Sequence, residues 1–142
     1  MAPSPAPFEA APPAADLAFA IGEALGALQP LHGDGAWVLI VGCRDRRLAR
    51  GLTGVRVVRS DQAVGLSLPR GSFHLAIRVA AAPADLDELV VVRNALAGDA
   101  ALLVIEAAHR LATTDEIAEV AGFSRRRARL LSNGFGVLEL QR

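Results

Sequence analysis

An uninterrupted apolar run, AWVLIV at residues 36–41, ends on Gly42, and the chain passes at once into Cys43, Arg44, Asp45, Arg46 and Arg47. A run of this kind suits a parallel strand covered on both faces, which demands crossover connections and a layered α/β architecture around it. Strand, glycine turn and helix is also the way open α/β sheets offer backbone amides to a nucleotide. That arrangement needs further glycines, so that the backbone can approach the ligand. Arginines stand at those positions instead.

The remaining segments alternate between helix and strand signals. Residues 1–15 carry Pro3, Pro5, Pro7, Pro12 and Pro13 and read as a flexible, polyproline-like arm, so the folded domain is expected over 16–142. Asp16 is expected to cap a helix over 16–28, whose Leu17, Ala20, Ile21, Ala24, Leu25 and Leu28 recur at helical spacing. Further expected elements are a short helix over 45–52, strands over 55–58 and 73–79, and a helix over 85–96 closed by Ala97-Gly98. A buried strand over 101–106 follows, then a helix over 114–121 with Thr114 at its start and Gly122 at its end. Asn133-Gly134 between two strand-length runs predicts a hairpin. The alternation predicts an α/β three-layer sandwich, Rossmann-like, with a mostly parallel sheet, right-handed crossovers and a C-terminal antiparallel hairpin.

Composition narrows the function classes. Fifteen basic and fifteen acidic residues cancel, so no whole-molecule field draws nucleic acid or an anionic membrane. Cys43 is the sole cysteine, which rules out an intrachain disulfide and a multi-cysteine metal site. No apolar run reaches the roughly 18 residues of a membrane span and no secretory signal pattern opens the chain, so a cytoplasmic location is expected. His32, His74 and His109 have no metal-ligand spacing, and Ser72 and Ser124 lie in no nucleophile context. No catalytic set assembles.

In the order of its segments the chain resembles the class I S-adenosylmethionine-dependent methyltransferases. VLIVGC at 38–43 is similar to the family's first motif, a strand ending in Gly-Cys. SLPRGSFHLAI at 67–77 resembles its Leu-Pro…Gly-Ser-Phe-Asp segment, with His74 in place of the Asp. VVVRNALAGDAALLVIE at 90–106 resembles the family's helix, glycine turn and fifth strand. EIAEVAGF at 116–123, with two strand-length runs after it, is similar to the last helix, Gly-Phe turn and closing hairpin. The resemblance spans residues 37–142 and implies Gly42, Cys43 and Asp61 as cofactor contacts if the site is retained.

The departures fall where the family holds its cofactor. Of the Gly-rich turn only Gly42 is kept, and Arg44, Arg46 and Arg47 bring bulk and charge. The family has two strands between its first and fourth, and this chain has room for one. If VRVV is the second strand, Arg59 replaces the ribose-binding acid; if it is the third, Asp61 meets adenine and the ribose acid has no source. Each guanidinium near a sulfonium would repel it by about 1 kcal/mol or more in a partly wet site. Arg44, Arg46, Arg47 and Arg59 would instead suit an anion such as phosphate or carboxylate.

The adopted reading is therefore a truncated methyltransferase-like domain, a pseudoenzyme that needs no cofactor. It is expected to act as a binding or scaffolding subunit for a partner protein or as a homodimer. The contact is expected through 16–28 or 60–71, on a sheet face left bare by the missing elements. One alternative is an active S-adenosylmethionine-dependent methyltransferase with a degenerate site. Another is a helix-turn-helix DNA-binding module over 114–133, with Ile117, Ala118, Gly122, Phe123, Ala128 and Leu131 as its core and Arg125, Arg126, Arg127 and Arg129 facing DNA. Read as a hairpin strand, the same run puts Arg125, Arg127 and Arg129 on one side and Ala128 and Leu130 on the other.

Overall fold

The computed structural model describes residues 37–42, 56–60, 68–79, 84–130 and 134–142, with backbone alone for 56–60, Asp99 and Arg126. The expected arm at 1–15 and the helices expected over 16–28 and 45–52 lie outside these residues. Element order is β1 (Trp37–Val41), β2 (Arg56–Ser60), β3 (Phe73–Val79), α1 (Leu86–Ala95), β4 (Leu96–Ala107), a 3-10 turn (Ala108–Arg110), α2 (Leu111–Ala121), β5 (Ser124–Leu130) and β6 (Phe135–Gln141). Among the described residues six strands form one sheet in the order β2-β1-β3-β4-β6-β5. The first four run parallel, and β6 slots in antiparallel between β4 and β5. This is the α/β sandwich with a parallel centre and a C-terminal hairpin that the segment order implied.

The uninterrupted apolar runs are explained by burial on both faces. Leu39, Val41, Ala76, Leu102, Val104, Leu138 and Leu140 pack with Leu89, Val92 and Ala95 of α1 and with Leu111, Ala118 and Phe123. By strand alternation Val38, Ile40, Leu75, Ile77, Leu103 and Ile105 point the other way, and none is more than 3% exposed. Each such side chain contributes about 1.5–3 kcal/mol when removed from water. The expected bare face is therefore absent at β1, β3 and β4, whose central residues are closed on both sides.

Local signals set most boundaries. Asp85 caps α1, its carboxylate accepting from the Glu88 amide at 2.8 Å, while Asp87 and Glu88 in the first turn and Arg93 in the last suit the helix dipole. Gly122 ends α2 at φ 102, and the Phe123 amide reaches back to the Ala118 carbonyl at 2.9 Å, a Schellman closure with buried Phe123 as its apolar contact. Two boundaries differ from expectation. Strand β4 begins at Leu96, directly after α1, because Leu96 pairs with Phe73 ahead of a register shift. Helix α2 begins at Leu111, and Thr114 is a buried residue within it, not its cap. Leu111 packs against β6 where Gly136 leaves room, since a Cβ on Gly136 would stand 2.5 Å from Leu111 Cδ1.

The helix-turn-helix alternative is overturned. Residues Ser124–Leu130 are extended and paired along β6, where a recognition helix would have to be helical. The cause is local: Gly122 closes α2, and Gly134 at φ 79 serves the turn into β6. The arginine pattern is also corrected, because a bulge between Arg125 and Arg127 shifts the alternation. Arg125 pairs in register with Leu140, on the helix-covered face with Ala128 and Leu130, and reaches Asp115 of α2 at 3.5 Å. Arg127 and Arg129 share the opposite face.

Candidate functional site

Leaving β1, the chain builds β2 on one side of it and then crosses to build β3 on the other. Open α/β sheets hold ligands at such a reversal, in the crevice outside the strand C-termini. Gly42 leaves β1 there with φ 81, a left-handed conformation that glycine adopts without strain. Cys43, Arg44, Arg46 and Arg47, which follow it, lie outside the described residues.

The identity of the strand beside β1 is now decided. Arg56 to Ser60 of β2 pair in parallel with Trp37 to Val41. In doubly wound sheets the strand fanning out beside the first is the second. Only residues 61–72 separate β2 from β3. A parallel crossover needs about a dozen residues, and among the described residues no further strand lies between the two. Arg59, paired with Ile40, accordingly stands near the end of the second strand, and the assignment of VRVV to a third strand falls. Asp61 is the next residue in the sequence. Asp61 itself lies outside the described residues.

Just behind the crevice sits a buried ionic network that sequence reasoning did not find. Arg78, the penultimate residue of β3, is in register with Val41 and Val104, on the face covered by the helices. Its Nε donates to Glu88 Oε1 at 2.7 Å and its Nη2 to Oε2 at 3.4 Å, a forked contact to α1. Arg78 Nη1 and Glu106 Oε2 stand 3.9 Å apart, an ion pair with no hydrogen bond between them. Thr114 Oγ1 of α2 donates to Glu106 Oε1. Side-chain exposure is 3% for Arg78 and 0% for Glu106. Four elements, β3, β4, α1 and α2, are thus pinned together by one charge cluster.

The available signal was a charge inside an apolar run. FHLAIRV and ALLVIE both read as central strands, and an ion at such a position must be paired. By register Arg78 points into the helical layer and not into the crevice, so it braces the site's supports. His74 lies at the other end of the sheet, where its Nδ1 accepts from the Trp37 amide at 3.0 Å, and Phe73 meets the Trp37 ring edge-on at 6.5 Å. It ties strand starts together. Among the described residues no cluster of His, Cys, Asp and Glu is placed to hold a metal, and no helix is long and apolar enough to cross a membrane.

No family model and no curated protein matches the sequence. Solved structures do match the fold. An S-adenosylmethionine-dependent methyltransferase from Mesorhizobium loti superposes with a TM-score of 0.60 at 15% identity, over 84% of this chain and 96% of that one. A Burkholderia thailandensis 1,6-didemethyltoxoflavin-N1-methyltransferase, with S-adenosylhomocysteine bound, gives 0.59 at 15% identity over 100% and 92%. The fold is that of the class I S-adenosylmethionine-dependent methyltransferases. The methyltransferase-fold match also includes SpnF, named a [4+2]-cyclase, with a TM-score of 0.63 at 14% identity over 87% of this chain and 80% of that one.

Proposed function

We propose that this methyltransferase-fold domain no longer holds S-adenosylmethionine and works as a binding or scaffolding subunit for a partner chain in the cytoplasm. The observation that carries the reading is the turn after Gly42. The fold supplies the left-handed glycine at the strand end, but the sequence continues with Arg44, Arg46 and Arg47 in place of bare backbone. The residues present do not fit the cofactor: guanidiniums oppose a sulfonium, and Arg59 stands near the end of the second strand. The order of the described strands adds to the misfit, because among the described residues no strand lies between β2 and β3 in the chain. A methyltransferase fold does not by itself carry methyl transfer, since function lives in the site grafted onto the fold.

Calorimetric titration with S-adenosylmethionine and with its demethylated product tests this. Binding is expected no tighter than about millimolar, equivalent to ~4 kcal/mol. A micromolar constant, or cofactor retained through purification, overturns the reading in favour of an active methyltransferase. The double variant Arg44→Gly/Arg46→Gly restores glycine to the turn and is expected to tighten binding measurably. If it leaves binding unchanged, the arginines are not what excludes the cofactor.

A further inference from the structure

We propose that the outer edge of β5 binds an extended partner segment in which acidic and aliphatic residues alternate. The inference rests on the partner-binding reading above and names the surface and the chemistry. Strand β5 ends the sheet, and among the described residues no strand pairs with its outer edge. An edge strand offers backbone amides and carbonyls to any chain that can lie beside it.

The sequence SRRRARL makes this edge selective. The bulge between Arg125 and Arg127 interrupts regular pairing at one end, leaving Arg127–Leu130 in unbroken register with Glu139, Leu138, Val137 and Gly136. Along that stretch Arg127 and Arg129 share one face, while Ala128 and Leu130 share the other. The Arg127 side chain is 57% exposed and Leu130 is 76% exposed. A strand added here places alternate residues against two guanidiniums and the residues between them against an alanine and a leucine. Carboxylates suit the first face and aliphatic side chains the second.

Other occupants fit less well. A second copy pairing edge to edge sets arginine opposite arginine, which is unfavourable for like charges across a ladder. A nucleic acid meets the arginines but has no use for the backbone edge or for Ala128 and Leu130. Contacts already made on this strand include Arg125 to Asp115 at 3.5 Å and Arg127 to Glu139 at 2.7 Å, surface pairs that incoming carboxylates join or replace at little cost.

The test uses the full chain and a short fluorescent peptide alternating Glu and Val, beside the same peptide interrupted by proline and a DNA duplex. Saturable binding of the alternating peptide is expected, with new amide protection confined to Arg127–Leu130. The Arg127→Glu/Arg129→Glu variant, shown to keep the parent melting profile, is expected to weaken it about tenfold or more. Leu130→Asp provides a second variant, with weakening in the same direction. The proposal is overturned by absent binding, by equal binding of the proline-interrupted peptide, by preference for the duplex, or by indifference to both variants. These readouts are separate from the cofactor titration, so loss of the β5 site and loss of the partner-binding reading remain distinguishable.

Discussion

Two arginines in this molecule each hold a glutamate at the same distance, and their surroundings make them opposites. Arg78 meets Glu88 at 2.7 Å with side chains 3% and 13% exposed; Arg127 meets Glu139 at 2.7 Å with side chains 57% and 21% exposed. Distance alone would rank them equal. In the interior, however, removing one ion leaves its partner in a low-dielectric site without compensation, while at the surface water takes the lost partner's place. Burial decides what the pair is worth. The inner pair fastens the helical layer to the strands that line the crevice, and the outer pair decorates a strand whose exposure suits it to binding.

The largest expected effect follows from breaking the inner pair. Arg78→Ala should cost about 3–5 kcal/mol, most of it the uncompensated Glu88 and Glu106 carboxylates. Denaturant unfolding measures this against the parent. Replacing the whole cluster with apolar residues, Arg78→Met with Glu88→Leu and Glu106→Leu, should recover most of the loss, because no buried charge then remains. If Arg78→Ala costs no more than Arg127→Ala, the contrast between the two pairs fails.

A smaller effect is expected one bond further along the same network. Thr114 Oγ1 is the donor to Glu106 Oε1 and both side chains are buried. Thr114→Val keeps the shape and removes the donor, so the carboxylate loses a hydrogen bond that water cannot replace. A cost of about 1–3 kcal/mol is expected. In the background of the apolar Arg78/Glu88/Glu106 replacement the same substitution should cost little, and a persisting cost would show that Thr114 contributes through packing instead of through Glu106.

What could be read from the sequence divides along a physical line. Elements with a self-contained local cue came out as expected: the apolar run of β3, the Gly122 closure and the β5–β6 hairpin each depend on residues within a few positions. Features that depend on pairing across the sheet did not. Leu96 is extended because of Phe73, and Arg125 changes face because of a bulge against β6. The network is of the second kind, since Arg78, Glu88, Glu106 and Thr114 come from four elements. The crevice divides in the same way. Gly42 and the arginines after it were visible as a motif, but only the register of β2 with β1 showed which of two strand assignments is correct, and with it the place of Arg59 in the sheet.

The smallest expected effect sharpens the comparison from the other side. Arg127→Ala removes a forked cation from a solvent-exposed edge, where Coulomb attraction is weakened by water and offset by the ordering of two long side chains. The expected loss is about 0.2–1 kcal/mol, within the range of exposed pairs. It should also shrink with ionic strength, since the Debye length falls from about 10 Å at 0.1 M salt to 3 Å at 1 M. The loss from Arg78→Ala should change far less over that range, because buried charges are poorly screened. A double-mutant cycle of Arg127→Ala with Glu139→Gln, run at both salt concentrations, isolates the pair from the rest of the strand. A coupling that is large, or that persists at high salt, would place Arg127 with Arg78 as part of the domain's framework. It would then count against using its guanidinium to receive a partner's carboxylate.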